Sequence, residues 1–221
     1  MEELTDNLKS LREKVYQYLK KGLNEGTLRQ GAFLNLNAIS SELGMSRTPL
    51  RDALFQLEAE GFVTIFHRRG VMVNRLDMDK VRSLYEIGGA LDSAASVLVG
   101  PKLREEDLAR MESLNAQMRA AVEDQDFDRY YQNNLAFHAV YLDLSENAEL
   151  LQAIRTLRER LFEFPRSKTF IQEWETKAVE EHEEILRLFR AGEFNRVAEY
   201  IRDVHWSYER QERYARKTYS A

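Results

Sequence analysis

The run from Met45 to Val73, MSRTPLRDALFQLEAEGFVTIFHRRGVMV, narrows the fold more than any other stretch, because a helix start, a basic helix face and a hairpin follow one another within it. Ser46 is an N-cap residue type whose hydroxyl takes up a first-turn amide, and Pro49 falls early enough in the turn to cost no helical bond. Leu50, Ala53, Leu54 and Leu57 recur at helical spacing, which turns Arg47, Thr48 and Arg51 to the solvent side near the N-terminus. That is the end a recognition helix pushes into a major groove. Gly61 stops the helix, and the β-rich runs Phe62 to Phe66 and Val71 to Asn74 flank a basic turn, His67-Arg68-Arg69-Gly70, which reads as a wing. Just upstream, Leu36 to Leu43 forms a short helix and Gly44-Met45 a tight turn, giving helix-turn-helix spacing. A solvated helix followed by an ordinary hairpin accounts for each piece singly, but not for their order.

The stretch LREKVYQYLKKGLNEGTLRQGAFLNLNAISSELGMSRTPLRDALFQLEAEGFVTIFHRRGVMV resembles the winged helix of the GntR superfamily of bacterial transcription regulators, most of all its FadR subfamily, over residues 8 to 75. The resemblance implies a double-stranded DNA operator as partner. It implies base or phosphate contacts from Arg47, Thr48 and Arg51, with His67 and Gly70 in the wing near the minor groove, and Arg68 and Arg69 of the same basic turn are expected to join them on DNA. Gln30 stands where the family usually has Pro, and Asn37 where some members carry a basic DNA contact.

A length of 221 residues is enough for two modest domains, and 43% hydrophobic with 31% charged residues describes a helix-rich globular chain. No apolar run reaches membrane length and MEELTDNLKS is not a signal peptide, so a cytoplasmic protein with no membrane partner is expected. The absence of cysteine removes disulfides, thiolate metal sites and cysteine nucleophiles together. The net charge of −5 divides into +2 over residues 1 to 75 and −7 over residues 76 to 221. The basic surplus is local, which favours orientation on DNA over raw affinity.

Along the chain, Leu8, Leu11, Val15, Tyr18 and Leu19 space a first amphipathic helix ending near Gly22, and Gly26 and Gly31 bracket a turn. Asn74-Arg75-Leu76-Asp77 is a short joint, which sets the domains at 1 to 75 and 76 to 221. Everything beyond reads helical: a helix capped by Asp77 or Asp79 and stopped at Gly100-Pro101, then Arg104 to Glu123, Phe127 to Leu144, Asn147 to Phe164 ended by Pro165, Trp174 to Ala191 and Glu193 to Arg216. The expected fold is mainly α, a winged helix-turn-helix followed by an all-α bundle of six helices.

His138, His182 and His205 lie on otherwise apolar stripes of three different helices, with Asn134 one turn before His138. One such histidine alone is best read as a hydrogen-bonded core residue. Three pointing inward with an amide open a second reading, convergence on one divalent cation, and nitrogen ligands without thiolate favour zinc, nickel or cobalt over calcium or magnesium.

Residues 77 to 216 resemble the FCD domain, the helical effector-binding half of FadR-type regulators, best at NNLAFHAVYLDLSENAEL and EEHEEILRLFRAGE. Many FCD domains hold a metal through an Asp and three His, and the matching positions here are Asn134, His138, His182 and His205. The six helices point to the VanR-like branch. The Arg that pairs with an effector carboxylate in many members falls at Gly88, within LYEIGGALD. Gly88-Gly89 leaves room for a bulkier ligand or for close helix packing, and both readings stay open.

The expectation is therefore a homodimeric, ligand-responsive repressor. Its bundle takes a small organic acid at the open side of a divalent transition metal, zinc or nickel foremost, helped by Tyr131, Arg155 or Arg158. Two rivals remain: a metal-dependent hydrolase, for which no carboxylate sits at an obvious general-base position although Asp143 and Glu181 are near in sequence, and a helical bundle that binds metal or ligand but no DNA.

Overall fold

The computed structural model describes residues 2–163 and 170–219. The chain forms two compact units. One runs to Leu76 and also takes in the segment that begins at Glu159; the other holds Asp77–Arg158 and the helices from Gln172 onward. The side chain of Leu8 and the helix stop at Phe164-Pro165 lie outside the described residues.

In the first unit α1 (Glu2–Asn24) packs on α3 (Arg47–Ala59). Val15, Leu19 and Leu23, one turn apart, close a core with Leu50, Leu54 and Leu57 of α3 and with Phe62, Val63, Val71 and Val73. Each such side chain withdrawn from water is worth about 1.5–3 kcal/mol. The helix ends at Asn24, two residues past Gly22, and at position 22 a side chain would collide with Leu28.

The short α2 (Leu36–Leu43) is capped by Asn35, whose side chain accepts from the Ala38 amide, and ends on Gly44 at φ 60°. This left-handed residue makes the tight turn into α3, where glycine carries no steric penalty. Ser46 occupies the N-cap of α3 in extended backbone, yet its hydroxyl makes no capping bond, contrary to the expectation for this residue type. At the other end Gly61, at φ 81°, lets the Phe62 amide donate to the Leu57 carbonyl at 2.8 Å.

The wing is an antiparallel pair, β1 (Val63–Phe66) and β2 (Gly70–Val73), in register from Val63 opposite Val73 to Phe66 opposite Gly70. A third extended segment completes it, unforeseen in the sequence. Phe33 bridges Met72, and the amides of Gly31 and Leu34 donate to the carbonyls of Val73 and Val71. Gln30, in the place of the usual proline, accepts from the Leu76 amide at 3.3 Å. Lys20 is only 7% exposed and pairs with Glu159 at 2.8 Å, while its ammonium lies 3.8 Å from the Phe62 ring centre.

The second unit is built of α4 (Met78–Val99), α5 (Glu105–Glu123), α6 (Phe127–Leu142), α7 (Ala148–Arg158), α8 (Gln172–Arg190), α9 (Phe194–Tyr200) and α10 (Tyr208–Tyr219). Asp77 caps α4 through the Lys80 amide, and α4 gives way at Gly100-Pro101 to one tight turn. α5 lies against α6 and α8, and α4 against α7, α9 and the turn that follows α9. The last expected helix is not continuous. Ile201–His205 widens into a π-helical turn and the chain breaks at Trp206-Ser207 before α10. π turns of this kind are frequent at functional sites, because the extra residue re-aims the side chains around it.

Candidate functional site: a basic face and a histidine cluster

The first unit carries a cleft of about 1060 Å3 between α3 and the wing, lined among others by Arg47, Arg51, Phe55, His67, Arg68 and Phe33. Arg47, Thr48 and Arg51 are exposed, as are His67, Arg68 and Arg69 at the tip of the wing. Gly70 follows at φ 107°, a left-handed conformation that an L side chain resists. Asn37 accepts from the Arg47 guanidinium at 2.5 Å, so the amide that replaces a basic residue holds one of the two helix arginines in place.

In the second unit α6, α8 and the π turn bring His138, His182 and His205 together, with one ligand atom from each within 4.8 Å of the others. The ring centres form a triangle with sides of 5.0 to 5.3 Å. Two nitrogens on one tetrahedral ion stand about 3.3 Å apart, so modest side-chain rotation closes the set.

The surrounding hydrogen bonds decide which nitrogens are free. Tyr141 donates its hydroxyl proton to Asp92 at 2.6 Å, so its oxygen accepts from Nδ1 of His138 at 2.9 Å. Nδ1 of His205 lies 2.9 Å from Oε2 of Glu181 and donates to it. Both histidines thus present Nε2 as a lone pair. His182 is fully buried with neither ring nitrogen hydrogen-bonded, and Oδ1 of Asn134 is likewise buried without a partner. Burial pushes the imidazoles of His138 and His182 well below the usual histidine range, which keeps both neutral and able to ligate. Unsatisfied buried polar atoms are rare and costly, so an all-nitrogen cluster of this kind fits a divalent transition metal.

Asp92, on α4, is 0% exposed and holds the cluster from behind. It accepts from Tyr141, from Nε1 of Trp206 at 2.9 Å and from the Arg158 guanidinium at 3.2 Å. Arg158, read from the sequence as an effector contact, is therefore engaged with Asp92. Arg155 is exposed and donates to the Leu151 carbonyl of its own helix. Tyr131 is buried and stacks on Phe127 at 6.0 Å. The Gly88 position is closed: a Cβ there would meet the Trp206 ring at 2.6 Å, which favours close helix packing over a roomy ligand notch.

Asp92, Tyr141 and Trp206 escaped the sequence reading. Asp92 did leave a signal, since it sits seven residues after Tyr85 and four after Gly88 on the inward face of α4, where a carboxyl group needs donors.

A winged helix-turn-helix joined to a helical bundle with an inward histidine cluster is the architecture of a one-component regulator. The comparisons agree. Residues 11–73 match the family described as "Bacterial regulatory proteins, gntR family" and residues 83–204 match the "FCD domain". The chain belongs to this family of GntR-type regulators with an FCD domain. The uncharacterized HTH-type transcriptional regulator YdhC of Bacillus subtilis (strain 168) is 30% identical over 139 residues, 61% of either chain. The Nta operon transcriptional regulator of Aminobacter aminovorans is 29% identical over 133 residues, 60% of this chain and 63% of its own. The HTH-type transcriptional repressor RspR of Escherichia coli (strain K12) is 24% identical over 134 residues, 61% of this chain and 59% of its own. The matched stretch thus spans about three fifths of each of these relatives. Escherichia coli McbR/YncC shares the fold, with a TM-score of 0.65 at 22% identity over 95% of this chain and 97% of that one.

Proposed function

We propose that this protein is a ligand-responsive, DNA-binding transcription regulator, a repressor working in the cytoplasm as a homodimer, whose bundle binds a small organic acid at a divalent metal. The observation that carries the reading is the fully buried His182, with both nitrogens unsatisfied, between His138 and His205 in a bundle joined to a winged helix. Asn134, His138, His182 and His205 would hold the ion, zinc or nickel by the softness of the donors. The ion supplies a Lewis-acidic seat for an oxygen ligand. Asp92 through Tyr141, and Glu181 directly, fix the ring orientation of His138 and His205, the arrangement that sharpens metal sites. With Gly88 covered by Trp206, the metal would carry most of the anion recognition, helped by Tyr131, Arg155 or Arg158, whose Nε stays buried without a partner while another of its nitrogens donates to Asp92.

A second copy of the chain is supported by Ile87, Ala90, Ala94 and Leu98, which share an exposed apolar strip on α4, and by the need of helix-turn-helix readers for two heads on paired half-sites. Effector binding then shifts the population toward a state whose two recognition helices no longer match those half-sites. A metal-dependent hydrolase finds no support among the relatives named above, all described as regulators.

Metal analysis of protein purified without chelator should find about one transition-metal ion per chain. His182→Ala should lose it, and Asn134→Asp should retain it more tightly. Calorimetric titration of small carboxylates into loaded and stripped protein tests the rest: equal binding by both forms overturns the metal-centred mechanism.

A further inference from the structure

On α3 the exposed residues Arg47, Arg51 and Phe55 follow at intervals of four and so share one face. Phe55 is 45% exposed, an unusual position for a phenylalanine, and the Arg51 guanidinium lies over its ring at 5.1 Å. The ring lines the cleft between α3 and the wing, flanked by Arg47, Arg51, His67 and Arg68. The carboxylate among the described lining residues, Glu58, already accepts from the Ile65 amide at 2.7 Å. An occupant of this cleft must be anionic at its rim and must offer an apolar group one helical turn beyond the site of Arg51. In duplex DNA the major groove has one apolar handle, the C5 methyl of thymine.

We propose that Phe55 is a specificity-determining residue that reads the methyl group of a thymine in the operator, beside the base or phosphate contacted by Arg51. The inference rests on the DNA-reading role of this unit and adds a base preference to it. Arg51 supplies the charge attraction, and its stacking on Phe55 fixes the ring edge that meets the methyl. No hydrogen bond is involved, so the discrimination is between a methyl and a hydrogen on an otherwise identical base edge.

The test uses the full-length protein and an operator enriched from random duplex DNA. Each thymine of a half-site is replaced in turn by deoxyuridine, which removes the methyl alone. One replacement should weaken wild-type binding by about fourfold per half-site, the value of one buried methyl. Phe55→Ala should bind the thymine operator about as weakly as wild type binds the uracil version and should not distinguish the two. Phe55→Leu, which keeps an apolar surface, should still prefer thymine. Wild-type indifference to deoxyuridine at every position, or a Phe55→Ala variant that still prefers thymine, overturns the proposal. Failure of the enrichment to yield any bound duplex would remove the DNA-reading role itself, a result visible before any base is altered.

Discussion

Trp206 stands directly over Gly88: a Cβ on that glycine would fall 2.6 Å from Cζ3 of the indole, closer than real carbon atoms approach. Gly88→Ala gains about 1 kcal/mol of helix propensity and sets it against overpacking of about 1–3 kcal/mol plus strain on the bond from Trp206 to Asp92. The clash wins, so the variant should be less stable by about 1–2 kcal/mol. Urea unfolding, followed by the fluorescence of a chain with two tryptophans, measures it. An unchanged midpoint would mean that the indole moves aside freely.

Glu181 acts on the proposed metal site through His205. Replacing it with Gln keeps an acceptor for Nδ1 but removes the negative charge that raises the basicity of the ring. Metal affinity should drop by about 10- to 100-fold, as such outer partners usually require. Competition against a graded series of chelators reads this directly, and operator binding by the loaded variant should stay at the wild-type level.

Glu175 gives the bundle a pH dependence of its own. It is 7% exposed, and burial pushes its carboxyl from 4.5 up to about 7, against the opposing pull of the Tyr130 hydroxyl. A pKa raised on folding means that the folded state binds the proton more tightly. The stabilisation is therefore complete below about pH 4.5 and is lost as pH rises through about 7. The shift corresponds to about 3 kcal/mol. Glu175→Gln should match wild type near pH 5 and exceed it in melting temperature at pH 8. Parallel pH profiles for the two proteins would show that Glu175 is ionised throughout.

Arg51 tests the basic face. Arg51→Ala should leave the melting temperature within error, because the residue is exposed, and should weaken operator binding by about 1–3 kcal/mol if it reads a guanine. Gel-shift titration at fixed salt checks both the loss and its dependence on sequence. Unchanged affinity would place the reading surface elsewhere.

The reading helix and wing were legible because their determinants are local. Glycines 44 and 61 mark the two turns, and the apolar spacing of α3 separates its faces. The histidine cluster was legible for a related reason: a polar residue on an apolar stripe declares itself one helix at a time. What escaped was long-range. The support of Asp92 for His138 through Tyr141 joins residues 49 positions apart, and the bond from Trp206 to Asp92 spans 114. No periodicity encodes such pairings. The π turn that ends on His205 was hidden too, since the apolar spacing across it reads as ordinary helix. Ser46 shows the reverse failure, a residue in the right place whose hydroxyl does not make the bond expected of it.

The ion pair between Lys20 and Glu159 closes the first unit with a residue 139 positions further along the chain. During synthesis the winged helix therefore emerges early yet cannot be finished early. At about 5–20 residues per second, the ribosome needs on the order of ten seconds to deliver Glu159 after Lys20. Throughout that interval the nascent head lacks the Glu159 carboxylate that pairs with its buried ammonium, so the reading unit should gain this part of its stability only after much of the bundle has been made. A regulator assembled in this order does not present a completed DNA-reading head before most of its sensing half exists.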